Sequence, residues 1–238
     1  MADRFYCSDL GGTQAVLLDA EAHHAAHVMR IATGQPVELF DGRGTSASAV
    51  VTRVGRREVT LEIVDRVEHT RPSEGRLTVA ACPPKGDRLK WMIEKLTEVG
   101  VDCYVPLISE RTVVSPGRNK VEKLGATVVA AAKQSGRDWL MEIATPTAFP
   151  DLLDNIAGSD ERLLIAHPGE KAGLPTGAAG NTTLLIGPEG GFAEHEVDVA
   201  VARGAEPVSR PGPILRTETA AVAFAVLATP EARGSESG

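Results

Sequence analysis

From Arg76 onward, short apolar runs alternate with stretches of helical periodicity, and this alternation constrains the fold more than any other feature of the chain. Strands joined through helices run parallel, with the helices covering the faces of the sheet. Leu77–Cys82 reads as the first strand. A helix over Asp87–Val99 follows, with Leu89, Ile93, Leu96 and Val99 on one stripe and Gly100 as its stop. Val101–Ile108 is the next strand, and the alanine-rich Lys120–Gln134 the next helix. Arg162–His167 and Thr182–Gly187 are unbroken apolar runs of the kind buried parallel strands show. Helices over Ala193–Arg203 and Thr217–Ala228 follow them, and Pro230–Gly238 reads as a frayed tail. The expected fold class is α/β.

Ahead of Arg76 the rhythm differs. Ala15–Leu18 is a short strand, and Asp19 is placed to cap a helix over Ala20–Arg30. Pro36–Phe40, Thr45–Val54 and Glu58–Asp65 alternate apolar and polar residues, with turns at Asp41-Gly42 and Gly55-Arg56. Short strands closed by tight turns predict a small β-barrel, and Arg66–Gly75 reads as the linker behind it. Arg53, Arg56 and Arg57 read as a solvated hairpin tip.

Composition narrows the class. Apolar residues make up 42% and charged residues 24% of 238, which suits a soluble globular chain. Aromatics are only 4%, which leaves little for a base-stacking platform. The charged start Met-Ala-Asp-Arg-Phe-Tyr predicts no signal peptide, and no apolar run approaches the ~18 residues of a membrane span. Cys7, Cys82 and Cys103 are too scattered for a disulfide framework or a zinc site, so a reducing cytoplasm is expected. His23 and His27 stand one helical turn apart but have no third ligand at matching spacing, so no metal is expected. The net charge of −7 argues against nucleic acid, but residues 76–145 alone carry +3.

Two segments could carry chemistry. Leu184–Phe192 is a strand running into the turn Gly187-Pro188-Glu189-Gly190-Gly191, where a parallel sheet gathers its ligands. The turn lacks the lysine of a phosphate loop, and Glu189 suits hydroxyls or a cation. By itself it fits a binding turn and a purely structural turn equally. The second segment is Arg210-Pro211-Gly212-Pro213-Ile214-Leu215-Arg216-Thr217-Glu218-Thr219, a loop stiffened by proline ahead of a helix. Arg216 sits where a helix N-terminus disfavours a cation, which points either to a bound anion or to an ion pair with Glu218 or Glu189. Lys133-Gln134-Ser135-Gly136-Arg137 reads first as a helix C-cap.

Taken together, Ile186–Phe192, Ile214–Ala220 and Gln134–Arg137 resemble the signature of the RsmE family of 16S ribosomal RNA methyltransferases, which act on N3 of a uridine. The resemblance extends to His27-Val28-Met29-Arg30, Lys95–Gly100 and Glu110-Arg111, nearly the whole chain; Lys133 before Gln134 departs from it. It implies a PUA-like RNA-binding barrel over residues 1–72 and a SPOUT domain over 73–238, with a deep trefoil knot at 162–228. It further implies S-adenosylmethionine as cofactor, held by loops around His167–Gly169, Gly187–Gly191 and Ser209–Arg216. The residues it places there are His167, Gly187, Pro188, Glu189, Gly190, Gly191, Ser209, Pro211, Gly212, Ile214, Leu215 and Arg216. Arg216, Glu189 and Glu218 are the catalytic candidates, and Arg4, Arg30, Lys85, Arg111, Gln134 and Arg137 the RNA contacts. A homodimer acting on 16S rRNA in the small subunit, without membrane or metal, is the implied setting. A knotted methyltransferase acting on transfer RNA or on a ribose 2′-hydroxyl, and a non-catalytic assembly factor, are the alternatives. A dinucleotide-dependent oxidoreductase is disfavoured, because the Gly-x-Gly-x-x-Gly fingerprint is missing.

Overall fold

The computed structural model describes residues 3–71, 75–113, 118–167, 173 and 180–229, with backbone alone over 118–122. The expected frayed tail, part of the expected linker and Gly169 lie outside the described residues. The chain divides into two compact units, residues 1–71 with 129–140, and residues 72–128 with 141–238.

The first unit is built on β1 (Asp3–Tyr6), β2 (Gln14–Leu18), β3 (Pro36–Phe40), β4 (Thr45–Val54) and β5 (Glu58–Glu68), in the order β1-β3-β4-β5-β2. This half-barrel is antiparallel except for β1, which runs parallel to β3. Alternation dictates its core: Ala15 and Leu17 from β2, Val37 and Leu39 from β3, and Val59 and Leu61 from β5 are all buried. The expected linker begins too early, since ladder pairing with β4 carries β5 on to Glu68.

The expected helix also needs correction. Asp19 does not cap it; it takes a φ of +47° at the start of α1 (Asp19–His23), whereas a capping residue needs an extended backbone. The helix then widens into a π-helical turn, His24–Met29, ended by Arg30 in the left-handed conformation. The rings of His23 and His27 lie 4.8 Å apart, tilted by 44°, on the exposed side. Among the described residues no group of three His, Cys, Asp or Glu is assembled around a metal position.

The second unit carries a parallel sheet of β6 (Leu77–Ala81), β7 (Cys103–Ile108), β8 (Glu142–Ile143), β9 (Thr147–Ala148), β10 (Arg162–Ala166), β11 (Thr182–Ile186) and β12 (Glu206–Val208). The order is β12-β10-β11-β6-β7-β8, with β9 also pairing β7. Every residue of β11 is buried, as its unbroken apolar run requires at the centre of a covered sheet. The helices of this region are α2 (Arg88–Glu98), α3 (Arg118–Ser135), α4 (Phe149–Ile156), α5 (Glu194–Ala202) and α6 (Thr217–Ala228), and α2 packs on α6. The last turns of α3 are counted with the first unit; there Gly136 takes φ +72° and the Arg137 N–H donates to Ala132 O, the C-cap read from the sequence. No helix among the described residues is long and apolar enough to cross a membrane.

All three thiols are buried, and burial raises each of their pKa values. Desolvation, followed by the Glu142 carboxylate, pushes Cys103 from 9.0 to about 11. The folded chain therefore keeps this proton after the unfolded chain has lost it. The contribution of Cys103 to stability is fully present well below pH 9 and is lost as the pH rises towards 11. Denaturant melts over that range are expected to lose about 2 kcal/mol that a Cys103→Ala variant does not lose.

Candidate active site

In the register of the sheet, Ala166 stands beside Ile186 on one side and Val208 on the other. The loops leaving β10, β11 and β12 therefore start side by side at the carboxyl edge, where open parallel sheets hold their ligands. The described residues at these strand ends line a cavity of about 410 Å³. His167 lines it after β10, residues 187–191 after β11, and Ser209, Gly212, Ile214 and Leu215 after β12. Phe192 and Phe224 supply apolar wall. Pro211, Arg216 and Glu218 do not line it.

The glycine-rich turn has little freedom. A Cβ on Gly187 would come within 3.0 Å of the Phe192 nitrogen and 3.2 Å of its ring. Gly191 takes φ +68°, and its N–H donates to Pro188 O at 2.8 Å. Three side chains from elsewhere hold the turn. Thr217 Oγ1 donates to Gly187 O at 3.1 Å, and Arg111 Nη1 donates to Gly190 O at 3.0 Å. Arg88 Nη2 meets Glu189 Oε1 at 3.3 Å. Behind the turn, the buried Glu196 carboxylate accepts the N–H groups of Ala193 and Glu110, which anchors the start of α5.

Of the two readings left open for Arg216, the ion pair is not the one formed. Neither Glu189 nor Glu218 pairs with Arg216; both pair with Arg88, whose Nη1 lies 3.6 Å from Glu218 Oε1. Arg216 is the extended residue capping α6, and it is exposed without an ion pair among the described residues. Glu218 is 5% exposed, and its Oε2 has no hydrogen-bond partner among the described residues.

The residues expected to meet RNA separate into distinct environments. Arg4 is 9% exposed at its side chain, with its guanidinium committed to Glu38 and Asp138 and stacked 4.4 Å over Phe40. A buried, doubly paired arginine is part of the packing of the first unit. Arg30 and Gln134 are exposed, and Arg137 is half-buried with its carbonyl accepting from Arg4. Lys85 is exposed just before α2. Arg111 lines the cavity. Arg88 and Thr217 escaped the sequence reading as site residues. Position was the available signal for Arg88, since it follows β6 at the same carboxyl edge of the sheet.

An open parallel sheet with a glycine-rich cavity across three strand ends defines an α/β domain built to bind a small molecule. The RNA methyltransferase domain model matches residues 71–229, and the RNA methyltransferase PUA domain model matches residues 17–64. Ribosomal RNA small subunit methyltransferase E of Synechocystis sp. is 31% identical over 214 residues, covering 86% of this chain and 69% of that one. Its Mycobacterium tuberculosis counterpart is 32% identical over 231 residues, covering 91% and 87%. The crystal structure of ribosomal RNA small subunit methyltransferase E from Neisseria gonorrhoeae, bound to S-adenosyl methionine, superposes with a TM-score of 0.84 at 27% identity over 94% of this chain and 95% of that one. The chain belongs to the ribosomal RNA small subunit methyltransferase E family of RNA methyltransferases.

Proposed function

We propose that this chain transfers a methyl group from S-adenosylmethionine to N3 of a uridine in the 16S RNA of the small ribosomal subunit. The observation that carries the reading is the cavity at the ends of β10, β11 and β12, with backbone-rich walls and Glu189 among its lining residues. That lining fits the proposed donor. The Gly191 Cα faces open space, with nothing within 4 Å of a Cβ built there, so a ligand can approach the backbone closely. Glu189 and Ser209 suit ribose hydroxyls and a sulfonium. Residues 187–191, Ser209, Leu215 and His167 would hold the donor. S-adenosylmethionine supplies, when bound, an electrophilic methyl that uracil N3 attacks in line.

The work left to the side chains is to orient the uridine, accept the N3 proton and tolerate the negative charge that results. Glu189 borders the cavity and Glu218 does not, which supports Glu189 as the proton acceptor, directly or through water. Arginine cannot act as a base, so Arg216, between the cavity-lining Leu215 and Thr217 at the cap of α6, acts by stabilising charge on the uracil oxygens. A homodimer is supported by apolar surface on and beside α6, where Ile214 is 91% and Val226 53% exposed. The knot expected over 162–228 is supported by the path from edge strand β12 back past β10 to α6, which packs on β6 and β11. The PUA-like unit and the exposed Arg30 and Lys85 would meet RNA, in the cytoplasm where ribosomes are built.

The test is methyl transfer to small subunits that lack the modification, read by nucleoside mass spectrometry. The expected product is 3-methyluridine. Methyl on a ribose, or on transfer RNA alone, would assign the chain to another methyltransferase reaction, and no donor binding would leave a non-catalytic assembly factor.

A further inference from the structure

Arg88, Glu189 and Glu218 come from three separate segments: the first turn of α2, the glycine-rich turn, and the first turn of α6. One guanidinium reaches both carboxylates, at 3.3 and 3.6 Å. The two contacts are unequal. Arg88 and Glu189 are 35% and 43% exposed at their side chains, and such a pair alone contributes little. Glu218 is buried, and Arg88 is the cation paired with it among the described residues. A buried carboxylate stripped of its counter-charge is strongly unfavourable. The Thr217 hydroxyl independently joins the same two walls by donating to Gly187 O.

We propose that Arg88 is a positioning residue, tying the glycine-rich turn to the first turn of α6 and thereby fixing the shape of the donor cavity. This rests on the methyltransferase reading for its ligand but not for its geometry. A planar fork can serve two carboxylates at once, whereas an ammonium on a flexible stem acts as a point charge. Arg88→Lys therefore keeps the neutralisation and weakens the tie.

The test uses the full chain and two readouts. Hydrogen exchange follows the Gly191 amide, which donates to Pro188 O, and the Ala220 amide, which donates to Arg216 O. In Arg88→Ala both are expected to exchange roughly tenfold faster while the amides of β7 keep their protection, with Arg88→Lys intermediate. Calorimetry with S-adenosylmethionine is expected to show roughly tenfold weaker binding for Arg88→Ala. The kinetic loss should fall on the donor KM, with kcat at saturating donor nearly kept. Exchange at Gly191 and Ala220 within twofold of the unaltered chain would overturn the proposal, as would a loss confined to kcat. Should Arg88→Ala not fold, Arg88→Lys alone decides by the same amides. If the unaltered chain fails to bind the donor, the methyltransferase reading falls and the exchange comparison still judges Arg88.

Discussion

An Arg216→Ala variant is expected to bind S-adenosylmethionine within about threefold of the unaltered chain while methyl transfer falls about 100-fold or more. The separation follows from where Arg216 stands. It lines no part of the cavity and holds no ion pair among the described residues, so its removal strands no buried carboxylate and takes no wall from the donor site. It caps α6, whose N-terminus carries a partial positive charge of its own. A cation beside a helix N-terminus is poor for stability and well suited to a developing anion, which is what uracil becomes as N3 loses its proton. Calorimetry for the donor and tritium transfer for the reaction provide the two measurements. Equal losses in both would make Arg216 a structural arginine. The contrast with Arg88→Ala, where donor affinity is the expected casualty, makes the pair of variants more informative than either alone.

The largest expected effect on stability lies in the first unit, at Gly44. It takes φ +99°, and a Cβ there would lie 2.2 Å from Trp139 Cζ2 and 2.8 Å from the carbonyl oxygen of His69. Its backbone is fixed from both sides, with its N–H donating to Asp138 O and its carbonyl accepting from His69 N–H. The indole and a carbonyl thus meet the missing side chain, and neither can withdraw without breaking these bonds. Gly44→Ala is expected to cost about 3–5 kcal/mol, combining left-handed strain with overpacking. Gly34→Ala is the control, since φ there is +87° but nothing lies within 4 Å of the added methyl. It should cost only about 1 kcal/mol of backbone strain. Urea denaturation of the two variants separates the terms, and equal losses would show that the Trp139 segment yields easily.

Local pattern determined much of this protein. Pro36–Phe40, Thr45–Val54 and Thr217–Ala228 are elements in the structure with the bounds that their periodicity predicts, because a strand or helix that buries one face must repeat apolar residues at its own period. The glycine-rich turn was legible for a related reason, since glycine behind a buried strand marks a backbone that must turn tightly or be approached closely. Tertiary structure decided the rest. Edge strand β12 is three residues, Glu-Pro-Val, and exists by pairing with β10 rather than by any preference of its own. Arg4, expected among the RNA contacts, is enclosed by Glu38, Asp138 and Phe40. The carboxylates offered as alternative partners for Arg216 pair instead with Arg88, which no spacing in the chain could pair with them. Periodicity reports only how a segment meets a surface. Which charges share a guanidinium depends on distances between segments far apart in the chain, and only the packed fold sets those.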